Sequence, residues 1–263
     1  MPAIKLALLQ EQTAPLSNQF YQPDLAVRSI HSILDLYANR TQRHGQSGAP
    51  PPLIEAYHVP KPVRRQIVKE LEPLVKDSPA DALDLCDSIW EQPYFEFKLI
   101  AASLIGKISI ETPEAITDRI FTWSLSCSED RIQSALFTNG LEQLIKDHTG
   151  YLLDQISELL SDRDIEKQTI GLSALISIIG SKSFDKFPKL FRIINPMTRS
   201  IDPDLRPYMV EVIRQLADRT PKETAYLLRH NLYAPDNPDT AWLVRQSLRA
   251  FPVDIQEYLR DAL

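Results

Sequence analysis

Lys61, Arg64, Arg65 and Lys69 recur at intervals of three and four residues, the spacing that gathers side chains on one face of an α-helix. Four cations on such a face can hold nucleic-acid phosphates without reading sequence, because phosphate oxygens accept from Lys and Arg whatever the bases are. Lys167, Arg199, Arg206, Arg214, Arg245 and Arg249 form a second candidate set, spread over the last third of the chain. The net charge is −6, and between Glu70 and Glu166 there are 20 acidic residues against 7 basic ones. Any affinity for double-stranded DNA must therefore come from a local basic stripe, working against repulsion from the acidic middle. The same acidic block suits a basic protein or peptide, and a third reading makes these charges plain solvated helix faces.

Other chemistries are poorly served. Histidines 31, 44, 58, 148 and 230 share no ligand spacing, so no metal site is expected. Cys86 and Cys127 stand far apart in helical patterns and read as buried thiols rather than a disulfide. With 7 glycines there is no Gly-rich phosphate loop, and no cofactor is expected. No apolar run is long enough for a membrane span. The patch Leu6 to Leu9 is too short for a signal peptide, so a cytoplasmic monomer is expected.

The elements that must position these residues are helices. Prolines outnumber glycines 20 to 7, which disfavours turn-rich β folds. Ser78-Pro79, Gln92-Pro93, Thr112-Pro113, Asp202-Pro203, Thr220-Pro221 and Asn237-Pro238 each precede a helical pattern. Proline suits the first helical position, and Ser, Thr, Asp or Asn before it is expected to cap. Apolar spacing predicts helices near 24–41, 62–76, 79–91, 94–109, 113–125, 129–147 (with a break at Asn139-Gly140), 150–161, 164–180, 185–198, 203–218, 221–232, 239–250 and 253–262. Short connections imply antiparallel neighbours, and hence an all-α superhelix, an α-solenoid of about six helix pairs. Residues 1–54 read as an N-terminal helix plus a flexible loop at Gln42–Pro52, continuous with a repeat domain over 55–263. Trp90, Trp123 and Trp242 sit in apolar patterns and read as core. Glu96 reads as a structural acceptor.

Two stretches carry a resemblance. One is Tyr57-His58-Val59-Pro60-Lys61-Pro62-Val63-Arg64-Arg65. The other is Leu85 through Ala101, with its Trp90, Pro93, Tyr94, Glu96 and Ala101. Both are similar to the AlkC/AlkD-type DNA alkylation repair family of HEAT-like-repeat DNA glycosylases, as is the run Leu243 to Pro252. In that family a glycine tends to stand where this chain has His58. The resemblance implies excision of N-alkylated purines, with a carboxylate that stabilises the cationic sugar of the transition state. In members of the family that Asp lies four residues after a Trp. The matching register puts Arg131 at the Trp position and Ala135 at the Asp position, and it puts Gln168 at a later Arg. Asp130 or Glu129, a turn away in register, is the substitute for the missing acid, although acids at a helix start also match the helix dipole. The resemblance thus implies a diverged, non-catalytic DNA-binding relative. The alternatives left open are a protein-interaction scaffold and an active glycosylase releasing 3-methyladenine or 7-methylguanine.

Overall fold

The run from Phe95 to Ile105 shows why this sequence is helical. Phe97, Ile100, Ala101, Ala102, Leu104 and Ile105 are all removed from solvent, so the helix is packed on nearly every side. Each large apolar side chain buried there contributes about 2 kcal/mol. In the computed structural model, which describes residues 5–39, 54–109, 111 and 113–263, this helix is the hub of the first of two units, Met1–Gln143 and Leu144–Leu263. The chain is all-α. Its one β feature among the described residues is an isolated bridge between Glu55 and Tyr94. The expected loop at Gln42–Pro52 and the expected cap Thr112 lie outside the described residues.

Unit one contains α1 (Leu6–Thr13), α2 (Pro15–Gln19), α3 (Pro23–Leu36), α4 (Lys61–Asp77), α5 (Pro79–Trp90), α6 (Phe95–Ile105), α7 (Glu114–Leu125) and α8 (Asp130–Ala135). A π-helical turn, Leu136–Gly140, follows, and α9 (Glu142–Asp147) carries the chain into unit two. α2, α4, α6 and α8 pack in succession as one layer. α3 packs on α5 in the other layer. α5 holds α7 through stacked Trp90 and Trp123 (4.5 Å between centroids, 6° between planes) and a two-pronged Arg119–Asp87 pair. Lys98 seals the stack: its ammonium lies 4.4 Å from the Trp90 ring centroid and donates to the Trp90 carbonyl.

Unit two contains α10 (Thr149–Ser161), α11 (Ile165–Gly180), α12 (Phe187–Arg199), α13 (Arg206–Arg219), α14 (Pro221–Leu232), α15 (Thr240–Ser247) and α16 (Val253–Arg260). Here α10, α12, α14 and α16 form one row of neighbours and α11, α13 and α15 a second. A fully buried amide, Asn231 of α14, holds α12 within the first row, and Thr240 joins that row to the second. Asn231 donates to Asn195 (2.8 Å) and Thr198 (2.6 Å) of α12, while Thr240 of α15 donates to the Thr198 carbonyl (2.9 Å).

Several local expectations need correction. α1 and α2 were not anticipated, because only Leu9, Thr13 and Leu16 of that stretch are buried and the apolar stripe is thin. The third helix stops at Leu36 rather than 41, and the Asn39 N–H donates instead to the Tyr57 carbonyl. Pro79, Pro203 and Pro221 do open their helices, but of the residues before them only Asp202 caps, accepting from the Asp204 N–H. Thr220 turns its hydroxyl back to Leu216, and Asn237 donates to the Asn231 and Leu232 carbonyls. Cys86 is buried, whereas Cys127 is partly exposed. Trp242 is likewise only partly buried, with the Arg206 guanidinium 5.0 Å from its ring centroid.

Candidate nucleic-acid interface

α4 presents two faces. Val63, Ile67, Leu71 and Val75 are wholly buried against the rest of unit one. Lys61, Arg65 and Lys69 lie on the other face, which helical spacing dictates once the apolar stripe is turned inward, and Arg64 stands at the edge of that stripe. All four border a cleft of about 280 Å³, floored by Val68, Leu99 and Ile100 and closed by Ser103, Glu72 and Asn139. Glu72 is the acid of the lining. Its hydrogen bond from Lys76 holds its pKa below the usual carboxylate range, so its charge is already answered on its own helix. Among the described residues none of the four cations has a hydrogen bond or ion pair. Arg64 is partly buried and the other three are exposed. Burial lowers the Arg64 pKa and Arg65 adds to the effect, while the Glu96 carboxylate opposes it.

The cleft is built by two unusual backbone features. Tyr57 and Val59 both donate their N–H groups to the Glu96 carboxylate, at 3.0 and 3.4 Å. Glu96 is buried, so this clamp fixes the segment leading into α4. Between the two donors His58 takes φ = 55°, a left-handed conformation that costs a side-chain-bearing residue about 1 kcal/mol. On the far wall the π-helical turn brings Asn139 to the cleft, and its carbonyl sits where a Cβ on Gly106 would be, 1.8 Å away. Only glycine at 106 lets α6 and the turn approach so closely.

The remaining sequence candidates are placed differently. Lys167 pairs with Asp162 at 2.6 Å, Arg206 with Asp239 at 2.8 Å and Arg214 with Glu211 at 3.7 Å, so each is engaged within unit two. Arg199 donates to Asn231 at 3.3 Å. Arg245 and Arg249 are exposed. Gln168 donates to the Asp162 carbonyl at 2.6 Å. Asp130 is exposed in the first turn of α8. Arg131 lies 4.6 Å from the Phe95 ring centroid and pairs with Glu129 at 2.8 Å, and Ala135 is buried on the same helix. Sequence reasoning missed Asn139, Ser103, Leu99 and Ile100 as lining residues. The Leu99-to-Ser103 spacing was visible, but not the element it faces.

The described residues contain no cluster of His, Cys, Asp and Glu able to hold a metal ion, and no helix long and apolar enough to cross a membrane. Fold and site define an all-α, layered helical protein with a cation-lined cleft. A model of the DNA alkylation repair enzyme family matches residues 37–241, and the chain belongs to that family. No curated protein and no solved structure gives a significant match.

Proposed function

We propose that this chain binds double-stranded DNA through the α4 cleft of unit one and does not excise bases. The observation that carries the reading is the convergence of Lys61, Arg64, Arg65 and Lys69 on one concavity, with none of them in a hydrogen bond or ion pair among the described residues. Unpaired cations beside a cleft are what a polyanion needs, and family membership makes DNA the natural polyanion.

The absence of excision follows from the α8 register of the resemblance. A methyl group at Ala135 replaces the carboxylate, and Arg131, a cation, replaces the aromatic. Removing the principal electrostatic stabiliser of such a transition state costs about 3 kcal/mol, on the order of 100-fold in rate. A cation nearby makes a developing positive sugar still less favourable. Asp130, exposed at a helix start, supports dipole matching better than catalysis.

The test is a gel shift at low salt together with a base-release assay on methylated duplex. The expected result is a shifted band and no released 7-methylguanine or 3-methyladenine. Release that disappears in Asp130→Asn would establish the glycosylase instead. Capture of a basic peptide with indifference to DNA would establish the scaffold, the reading that the acidic stretch from Glu70 to Glu166 favours.

A further inference from the structure

The cleft is more specific than a phosphate track requires. A duplex offers internal phosphodiesters, each carrying one negative charge and flanked on both sides by sugar, along a convex surface. Such a ligand is served by exposed cations spaced along a face, and Lys61, Arg65 and Lys69 are of that kind. Arg64 is not. It is the least exposed of the four and is set against the cleft wall, with no hydrogen-bond partner among the described residues. Its guanidinium feels the Glu96 carboxylate but hydrogen-bonds to neither it nor any other described residue, so its donors stay open towards the cleft. An anion that uses those donors has to protrude into the concavity.

We propose that the cleft seats a phosphate monoester, with Arg64 as its innermost contact and Lys61, Arg65 and Lys69 around the rim. This rests on the DNA-binding reading above and sharpens it. A terminal phosphate projects singly from its chain. It also carries about two negative charges and three acceptor oxygens, against one charge and two free oxygens for a diester. Four cations around one cleft of about 280 Å³ match that charge better than they match a single diester. Val68, Leu99 and Ile100 give an apolar floor, and the exposed Asn139 gives an amide at the far wall. Those groups suit the sugar and base edge next to the phosphate. The ligand is a terminally phosphorylated nucleotide, supplied either by a DNA end or by a free mononucleotide.

The experiment has two arms. Fluorescence anisotropy compares one short duplex with 5′-phosphate, 3′-phosphate or hydroxyl ends, and a dumbbell closed at both ends. Calorimetry compares dAMP with deoxyadenosine. The expected result is roughly tenfold tighter binding of at least one phosphorylated end, or of dAMP over deoxyadenosine. That preference should vanish in Arg64→Gln and fall as the pH drops below about 6, where the monoester loses its second charge. A preference in the first arm assigns the source to DNA ends, and one in the second alone assigns it to free nucleotides. Circular dichroism shows that Arg64→Gln remains folded, and Arg65→Gln, at the rim, should keep the preference with weaker overall affinity. Equal binding of phosphorylated, hydroxyl and dumbbell duplexes, with dAMP no better than deoxyadenosine, overturns the inference. In that case salt-dependent binding of all three duplexes would leave the DNA-binding reading standing.

Discussion

Replacing Gly106 with alanine should unlock the wall of the cleft. The added Cβ would lie 1.8 Å from the Asn139 carbonyl oxygen and 2.7 Å from its carbon, so at least 1 Å of backbone movement is needed to reach a tolerable 3.0 Å. Both groups are main chain, and neither can rotate away. Overpacking of this kind costs about 3 kcal/mol, a change of roughly 100-fold in the folding equilibrium. For a unit of this size that lowers the melting temperature by about 10 °C. The same substitution at Gly150 supplies the control, because nothing lies within 4 Å of its Cβ position on α10. There alanine should raise stability by about 0.5 kcal/mol through the loss of unfolded-state freedom. Thermal melts followed by circular dichroism measure both. The Gly106→Ala protein should also bind DNA less tightly, since Asn139 leaves its place. A Gly106→Ala protein that melts within a degree or two of the wild type would refute the packing argument.

His58→Gly should stabilise the protein by about 0.5 kcal/mol, the relief of left-handed strain less the entropy that glycine adds to the unfolded chain. His58→Val should cost more than 1 kcal/mol in the same urea titration, by about the strain of a β-branched residue at positive φ. Tyr57 gives a pH signature. Burial, and then the neighbouring Tyr94, push its pKa up from 10.0 to about 12. The neutral phenol is therefore favoured in the folded state. Its contribution is fully present below pH 10.0, where the unfolded chain begins to ionise, and it is lost as the pH climbs towards about 12. Stability should fall more steeply over that window in wild type than in Tyr57→Phe, and identical alkaline limbs would count against the assignment.

Much of the architecture was legible because burial leaves a period. In α5, Ala82, Leu83, Cys86, Ile89 and Trp90 repeat at three and four, and all are buried. α1 was not legible because Leu6 and Leu8 are exposed and the stripe reduces to Leu9 and Thr13. The break at Asn139-Gly140 could be read from glycine alone, but its π-helical form is imposed by contact with α6, which has no local signature. The α4 cations were readable for the same reason as the core, since a helix with one apolar face must present the other. The engagement of Arg206 was not, because Asp239 is 33 residues away in sequence. The Arg214–Glu211 pair, at three residues, could have been foreseen. His58 was singled out by resemblance, and its positive φ supplies the physical content.

The salt dependence of DNA binding tests the central claim most directly. Lys61, Arg64, Arg65 and Lys69 can neutralise at most four phosphate charges, so the logarithm of the binding constant should fall against the logarithm of salt with a slope no steeper than about −3.6. At that limit the loss is roughly 150-fold between about 50 and 200 mM salt. Replacing all four with glutamine should remove the slope and the binding together, while the helical circular dichroism spectrum is retained. A slope that persists unchanged in the quadruple variant would contradict the account, because the phosphates would then be held elsewhere on the chain.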